Sequence, residues 1–276
     1  MWCFHNGDYV KEEDLRISPF DHGYLYGLGI FETLRTYDGI PLLWHEHFIR
    51  MEEALKAYRI QLPYTEQQLR DVIIELNVRN GTEDGYFRVN VSAGEAGIGL
   101  APTTYPSPNV IIFQKPLHLP PRGTEKEAVW LETVRNSPEQ ATRFKSHHYA
   151  NNVVARFEVP SLADVEGFFL NEDGLIAEGI TSTIFWVKDS IVYTPSLSMG
   201  ILPGITRACV MQLVDVVEGE FHREALLQAD ECFITTSIQE LIPIRRLGTK
   251  QFAGNQGAVY QNLHARYIEW IKGSSF

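Results

Sequence analysis

The chain has 276 residues, of which 44% are hydrophobic and 21% charged, an ordinary balance for a soluble globular protein that excludes intrinsic disorder. Lys+Arg number 24 against 35 Asp+Glu, a net charge of -11, which excludes bulk attraction to nucleic acid or an anionic membrane and leaves room only for local basic pockets. The three cysteines, Cys3, Cys209 and Cys232, are odd in number and show no CxxC spacing, so neither a disulfide framework nor a zinc knuckle is expected. They read as buried free thiols of a reducing cytoplasm. The N-terminus lacks a basic region followed by an apolar run, and no stretch approaches the roughly 20 apolar residues of a membrane helix.

The first residues predict a short strand, a turn at Gly7-Asp8 and a second strand. Residues 30–36 alternate, with Phe31, Thr33 and Arg35 on one face and Glu32 and Leu34 on the other. Asp38-Gly39 then closes a hairpin to residues 40–43. Residues 45–58 predict a helix, since Phe48, Met51, Leu55 and Tyr58 recur at helical steps; His47, Arg50 and Ala54 border that apolar stripe. Thr65 caps a second helix, to residue 77. Residues 86–92 and 110–113 predict strands, the former with Tyr86, Arg88, Asn90 and Ser92 on one face.

Residues 115–123 hold three prolines and a glycine and cannot continue a helix or a central strand. The predicted organisation is therefore an N-terminal domain over 1–115, a linker at 116–123 and a C-terminal domain over 124–276. The second half predicts a strand at 129–134, a helix from about His147, and a meander of strands at 167–171, 175–187 and 191–194. A helix from about Thr206, a strand at 232–235 and an amphipathic C-terminal helix carrying Val259, Leu263, Tyr267 and Trp270 complete it. Strands and helices mix without regular βαβ alternation, which predicts an α+β fold.

Five features could carry chemistry. Lys145, one of eight lysines, stands among polar and aromatic residues just before a helix. A desolvated lysine can hold an aldehyde cofactor as a Schiff base; a solvated loop lysine is the plainer reading of Lys145 taken alone. Glu178 is a carboxylate in an otherwise apolar strand, costly unless it meets a cation such as a pyridinium nitrogen, or unless it lies at the surface. Gly204-Ile205-Thr206 opens a helix whose N–H groups suit a phosphate or merely a threonine cap. Thr235, Thr236 and Ser237 end a strand as phosphate donors or as an ST turn. Arg50 could face a phosphate or pair with Glu46 or Glu53 on its own helix. Zinc, Walker and Rossmann patterns are lacking, so no metal or nucleotide site is expected.

Taken together, these residues resemble the fold-type IV pyridoxal-phosphate enzymes, a group including branched-chain aminotransferases, D-amino acid aminotransferases and 4-amino-4-deoxychorismate lyases. The likeness runs from Ser18-Pro19-Phe20-Asp21-His22-Gly23 and Phe31-Glu32-Thr33 through Lys145, Glu178-Gly179 and Gly204-Ile205-Thr206-Arg207 to Glu240-Leu241-Ile242-Pro243. It implies a small N-terminal domain, a larger barrel-like C-terminal domain, pyridoxal 5'-phosphate as cofactor, a small-molecule substrate and a homodimer. It also implies that Lys145 binds the cofactor aldehyde, that Glu178 meets the pyridine nitrogen, and that Arg50, Ile205, Thr206, Thr236 and Ser237 hold the phosphate. The stretch Arg143-Phe144-Lys145-Ser146-His147-His148-Tyr149 is most similar to bacillus-type aminodeoxychorismate lyases, and Thr33 stands where branched-chain aminotransferases usually have Gly. That likeness implies elimination of pyruvate to give 4-aminobenzoate, with Thr33 relaying a proton and Arg88 or His148 meeting a substrate carboxylate. An aminotransferase acting on D-amino or branched-chain acids is the alternative, and a non-catalytic binding dimer would be expected to lack Lys145. Thr183 departs from the family, which often has Asn there.

Overall fold

A computed structural model describes residues 1–273, which divide into two units: Met1–His118 with Phe144–His148, and Leu119–Arg143 with the chain from Tyr149 onward. The division falls between His118 and Leu119, and the short 144–148 segment returns to the first unit.

In the first unit, β1 (Trp2–His5) and β2 (Asp8–Lys11) form a hairpin, followed by the one-turn α1 (His22–Tyr26), β3 (Gly29–Tyr37) and β4 (Ile40–Pro41). Two helices, α2 (Trp44–Ala57) and α3 (Glu66–Asn80), precede β5 (Gly85–Ser92) and β6 (Asn109–Pro116). The sheet order is β2-β1-β6-β5-β3-β4. Alternation decides which face is core: Leu34, Phe87, Val89, Val91, Val110 and Ile112 are fully buried and meet Phe48, Met51, Leu55, Leu69, Ile73 and Leu76 of the two helices. The opposite face carries Thr33, Arg35, Tyr86, Arg88 and Asn90, all partly exposed. Thr65 caps α3 in a capping box, its hydroxyl accepting from Gln68 N at 3.3 Å while Gln68 Oε1 accepts from Thr65 N at 2.8 Å.

The second unit contains β7 (Lys126–Trp130), α4 (Ala150–Arg156), β8 (Val165–Leu170), β9 (Ile176–Gly179), β10 (Thr183–Lys188), β11 (Ile191–Pro195) and α5 (Ile205–Leu213). It ends with β12 (Val216–Gly219), α6 (Arg223–Leu227), β13 (Glu231–Thr236), β14 (Glu240–Leu247), β15 (Lys250–Gln251) and α7 (Ala258–Gly273). The strand order is β12-β11-β10-β13-β14-β7-β8-β9, with β15 added beside β14. Most neighbours are antiparallel; β7 is parallel to both β14 and β8. Ile184, Trp186, Ile234, Ile244 and Phe168 build one core cluster, and Phe169, Ala177, Ile180 and Ile201 another.

Three expectations need correction. The helix predicted from His147 begins at Ala150, because residues 145–147 are extended and pair with β3. The strand predicted over 175–187 is two strands, since Gly179 N donates to Ser182 O at 2.8 Å and closes a turn between them. Glu178 and Ser182 therefore do not share one strand face. The strand predicted at 129–134 lies at Lys126–Trp130. Thr65→Ala, which removes the hydroxyl half of the capping box, is expected to lower stability by about 1 kcal/mol, read as a reduced urea midpoint at unchanged slope.

Candidate active site

The first unit seats Lys145 by its backbone. Phe31 N donates to Lys145 O at 2.8 Å and His147 N donates to Gly29 O at 2.9 Å, so residues 145–147 lie as a short antiparallel strand along the start of β3. The Lys145 ammonium then lies 4.7 Å from the centre of the Phe31 ring, and the Arg88 guanidinium packs on the same ring at 3.6 Å. Thr33 stands directly opposite Arg88 in the β3–β5 register, on the same face.

Glu32 points the other way and is 1% exposed. It accepts from Arg50 Nε at 2.8 Å, from Arg50 Nη2 at 2.6 Å, and pairs with His47 Nδ1 at 2.8 Å. Burial opposes its ionisation, but Arg50 and His47 outweigh burial and bring its pKa down to about 2. Burial pushes His47 below its usual value despite the Glu32 hydrogen bond. Arg50 thus pairs with a carboxylate on β3, not with Glu46 or Glu53 of its own helix. The bidentate geometry fixes its guanidinium plane.

Of the adjacent histidines, His148 packs against Gly27 and lies 6.3 Å, ring to ring, from Tyr58. His147 is the one that reaches the Arg88 face: its Nε2 is 3.0 Å from Asn90 Oδ1. Burial, with the nearby Arg88 charge, pushes its pKa down to about 4.

The second unit holds Glu178, 5% exposed. Its Oε1 accepts from Arg135 Nε and Nη2, both at 2.8 Å, its Oε2 accepts from Leu202 N at 3.0 Å, and Arg143 Nε stands 3.8 Å from Oε1. The cation demanded by a buried carboxylate is thus an arginine 43 residues away in sequence, a pairing no local pattern could reveal. Arg135 also reaches Asn151 and Asn152, while Arg143 donates to the Gly200 and Asn136 carbonyls.

Helix α5 begins at Gly204, which supplies no side-chain cap, so its first-turn N–H groups at Ile205 and Thr206 are available donors. A Cβ at Gly204 would come within 2.9 Å of Thr183 Oγ1, so glycine is needed for this loop to pass β10. Across the β10–β13 register Thr183 pairs with Thr235, whose buried hydroxyl has no hydrogen-bond partner among the described residues. Thr236 makes the ST turn, its Oγ1 accepting from Ile238 N at 3.3 Å and Gln239 N at 2.8 Å, with its own hydrogen left to donate. Ser237 follows it, partly exposed. Sequence reading gave Arg135, Asn90 and His147 no role and took Thr235 only as part of the Thr235-Thr236-Ser237 strand end. The hydroxyl-rich strand end was a signal for Thr235, but burial separates it from Thr236 and Ser237.

Residues 29–247 match the family described as amino-transferase class IV. The chain is 40% identical over 274 residues to the aminodeoxychorismate lyase of Bacillus subtilis (strain 168), covering 97% of this chain and 94% of that protein. The crystal structure of the Escherichia coli branched-chain amino acid aminotransferase superposes with a TM-score of 0.89 at 27% identity, covering 100% of this chain and 96% of that one. The T.th. branched-chain amino acid aminotransferase complexed with N-(5'-phosphopyridoxyl)-L-glutamate superposes with a TM-score of 0.88 at 25% identity, covering 99% and 94%. The chain belongs to the amino-transferase class IV family, with its α+β fold, and the members of that family use pyridoxal phosphate.

The residues present fit that group. An uncapped helix start beside an unpartnered buried hydroxyl suits a phosphate, and an arginine-held carboxylate suits a protonated pyridine nitrogen.

The depressed histidines set an acid limit on stability. His147 falls from 6.5 to about 4, so the unfolded chain binds the proton more readily between those values. Its contribution is complete above about pH 6.5 and is lost as pH falls toward 4, with His47 acting in the same direction. Glu32 adds a second loss as pH falls from 4.5 toward 2. Urea midpoints are expected to fall between pH 7 and 5, and less steeply in His147→Gln.

Proposed function

We propose that this protein is a pyridoxal-phosphate-dependent 4-amino-4-deoxychorismate lyase, a carbon–oxygen lyase that eliminates pyruvate to give 4-aminobenzoate for folate biosynthesis. The observation carrying this reading is the 40% identity to the Bacillus subtilis lyase over 97% of the chain, against 27% for the Escherichia coli aminotransferase structure. The setting of Arg88 supports it: Thr33, Arg35, Tyr86 and Asn90 share its sheet face and bring no carboxylate, which suits a dianionic substrate in a chain whose net charge is -11.

In this reading Lys145 Nζ would hold the cofactor aldehyde. Ile205 and Thr206 donate backbone N–H groups to the phosphate, with Arg50, Thr236 and Ser237 completing its contacts. Glu178, held in place by Arg135, would accept from the pyridine nitrogen. Bound pyridoxal phosphate supplies an electron sink conjugated to the substrate's amine-bearing carbon. Lys145 Nζ, as a free amine, would take the proton from that carbon. The electron pair left behind expels the neighbouring enolpyruvyl oxygen as its C–O bond breaks, and the ring becomes aromatic. The departing enol takes up a proton at carbon to become pyruvate. Thr33, on the face shared with Phe31 and Arg88, relays a proton, and Arg88 binds a substrate carboxylate, with His148 the second candidate.

The structural likeness to two branched-chain amino acid aminotransferases favours a second reading, a transaminase for branched-chain or D-amino acids. It keeps Lys145 and Glu178 in the same roles and differs in returning a proton to the substrate without loss of pyruvate.

We also assign the working form as a cytoplasmic homodimer. Ile17, Phe20, Tyr24, Ile98 and Leu100 leave apolar side chains exposed on two segments of the first unit joined by the Ala96 N to Phe20 O hydrogen bond at 3.2 Å. The three free cysteines suit a reducing compartment. No helix among the described residues is long and apolar enough to cross a membrane.

Supplied with enzymatically generated aminodeoxychorismate, the wild-type protein is expected to form 4-aminobenzoate and pyruvate in equal amounts. Lys145→Ala is expected to lose at least about 10³-fold in rate. A cofactor-loaded protein that transfers amine to keto acids yet forms no 4-aminobenzoate would establish the aminotransferase reading instead. Light scattering is expected to give twice the 31.5 kDa chain mass, and Tyr24→Lys with Ile98→Lys to shift it toward the monomer.

A further inference from the structure

The Arg88 side chain is held in a way that the catalytic reading does not require. Arginine has a long stem with much rotamer freedom, so a fixed guanidinium needs contacts that define both its plane and its direction. Here Phe31 supplies the plane, at 3.6 Å from ring centre to guanidinium carbon. Asn90, two residues on along β5 and on the same face, supplies the direction: Arg88 Nε donates to Asn90 Oδ1 at 3.3 Å.

Asn90 is itself oriented. His147 Nε2 lies 3.0 Å from the same Oδ1. Two donors converge on one amide oxygen, and turning the amide over would set its NH2 group against both of them. His147 acts as a donor through a neutral ring. Its backbone is tied to Gly29 O at 2.9 Å. A Cβ at Gly29 would come within 2.4 Å of the His147 ring, so only glycine at this point of β3 admits the imidazole. The chain from Gly29 through His147 and Asn90 to Arg88 is continuous and lies within the first unit.

The same ring carries the reactive amine. Lys145 Nζ and the Arg88 guanidinium lie 4.7 Å and 3.6 Å from the Phe31 centre, which places them at most about 8 Å apart. That upper bound leaves room for an amine and a carboxylate at opposite ends of a six-membered ring. An α-amino acid, by contrast, has both groups on one carbon. The neighbouring outward positions Thr33, Arg35 and Tyr86 carry no carboxylate to compete.

We infer that Asn90 and His147 are positioning residues for Arg88, fixing its guanidinium on Phe31 as the receptor for the ring carboxylate of a para-amino cyclic acid. The inference rests on the assignment of Arg88 to a substrate carboxylate made above, and adds which residues set its specificity.

The test uses the cofactor-loaded enzyme and 4-aminobenzoate as the probe, with binding measured by calorimetry and KM and kcat measured on aminodeoxychorismate. Arg88→Ala, Asn90→Ala and His147→Leu are each expected to weaken 4-aminobenzoate about tenfold or more, the equivalent of one hydrogen bond to a charged group. KM is expected to rise by a similar factor while kcat changes less than about threefold, because the lost interaction is made equally in the ground and transition states. The cofactor absorbance spectrum should stay at its wild-type position. His147→Gln, whose amide nitrogen can take the place of Nε2, is expected to recover most of the affinity. Weakened binding in Arg88→Ala with wild-type binding in both Asn90→Ala and His147→Leu would overturn the positioning inference alone. Wild-type binding in Arg88→Ala would overturn the assignment of Arg88 and the inference with it. A wild-type protein that binds leucine or D-alanine but not 4-aminobenzoate would overturn the lyase reading and the inference together.

Discussion

The seating of three extended residues on the first residues of β3 governs the candidate site in the first unit. Two backbone hydrogen bonds, from Phe31 to Lys145 and from His147 to Gly29, replace what would otherwise be a flexible loop. A loop lysine in solvent keeps its rotamer freedom and its full hydration. A strand-like lysine has its Cα fixed and its stem aimed across an aromatic ring, which leaves much less to organise when an aldehyde arrives. The same two bonds also fix the direction of His147. One short pairing therefore sets both the reactive amine and the support of the neighbouring guanidinium.

Each unit pairs a buried carboxylate with an arginine. Glu32 with Arg50 and His47 lies in the first, Glu178 with Arg135 and Arg143 in the second. Such pairs are expensive to desolvate and contribute little net stability compared with apolar packing. Their value here is geometric. Two-nitrogen contacts fix the planes of Arg50 and Arg135, and Arg50 with His47 holds the Glu32 carboxyl well below the usual carboxylate range against the cost of burial. Glu32 shows the balance: burial alone would raise its pKa, yet the two adjacent cations bring it to about 2.

Local pattern carried much of this architecture and failed at identifiable points. Period-two alternation located β3 and β5 and assigned Phe31, Thr33, Arg88 and Asn90 to one face. Helical spacing located α2 and α3, and Thr65 marked a cap. The misplaced start of α4 has a physical cause, since Ser146 and His147 have nothing in their composition to forbid a helix, and the competing hydrogen bonds of β3 hold residues 145–147 extended. The strand over 175–187 looked continuous because Ile180 is apolar and in phase, whereas Glu166 and the Gly179–Ser182 turn bend the backbone there. Pairings across long sequence separations, such as Arg135 with Glu178 or Arg50 with Glu32, have no local signature. Lys145, Glu178 and the Gly204-Ile205-Thr206 start were visible only as a joint pattern, each having an ordinary structural explanation by itself.

The two units differ in how their candidate groups are specified, and this bears on how one fold serves lyases and transaminases. In the second unit the proposed phosphate donors are backbone N–H groups at a helix start, and the carboxylate is locked by an arginine and a backbone amide. Such a constellation tolerates wide sequence change, since a backbone donor survives most substitutions. In the first unit the outward face of β3 and β5 is specified side chain by side chain: Phe31 and Thr33 on one strand, Arg88 and Asn90 on the other, His147 on the segment above. Apart from the buried Phe31, these lie away from the core cluster, whose side chains on the same strands point the other way. Alternation along two strands thus separates what must be kept for the fold from what can be altered for the substrate. On that argument, the choice between eliminating an enolpyruvyl group and transferring an amine lies in the outward face, while the machinery that holds the cofactor is common to both.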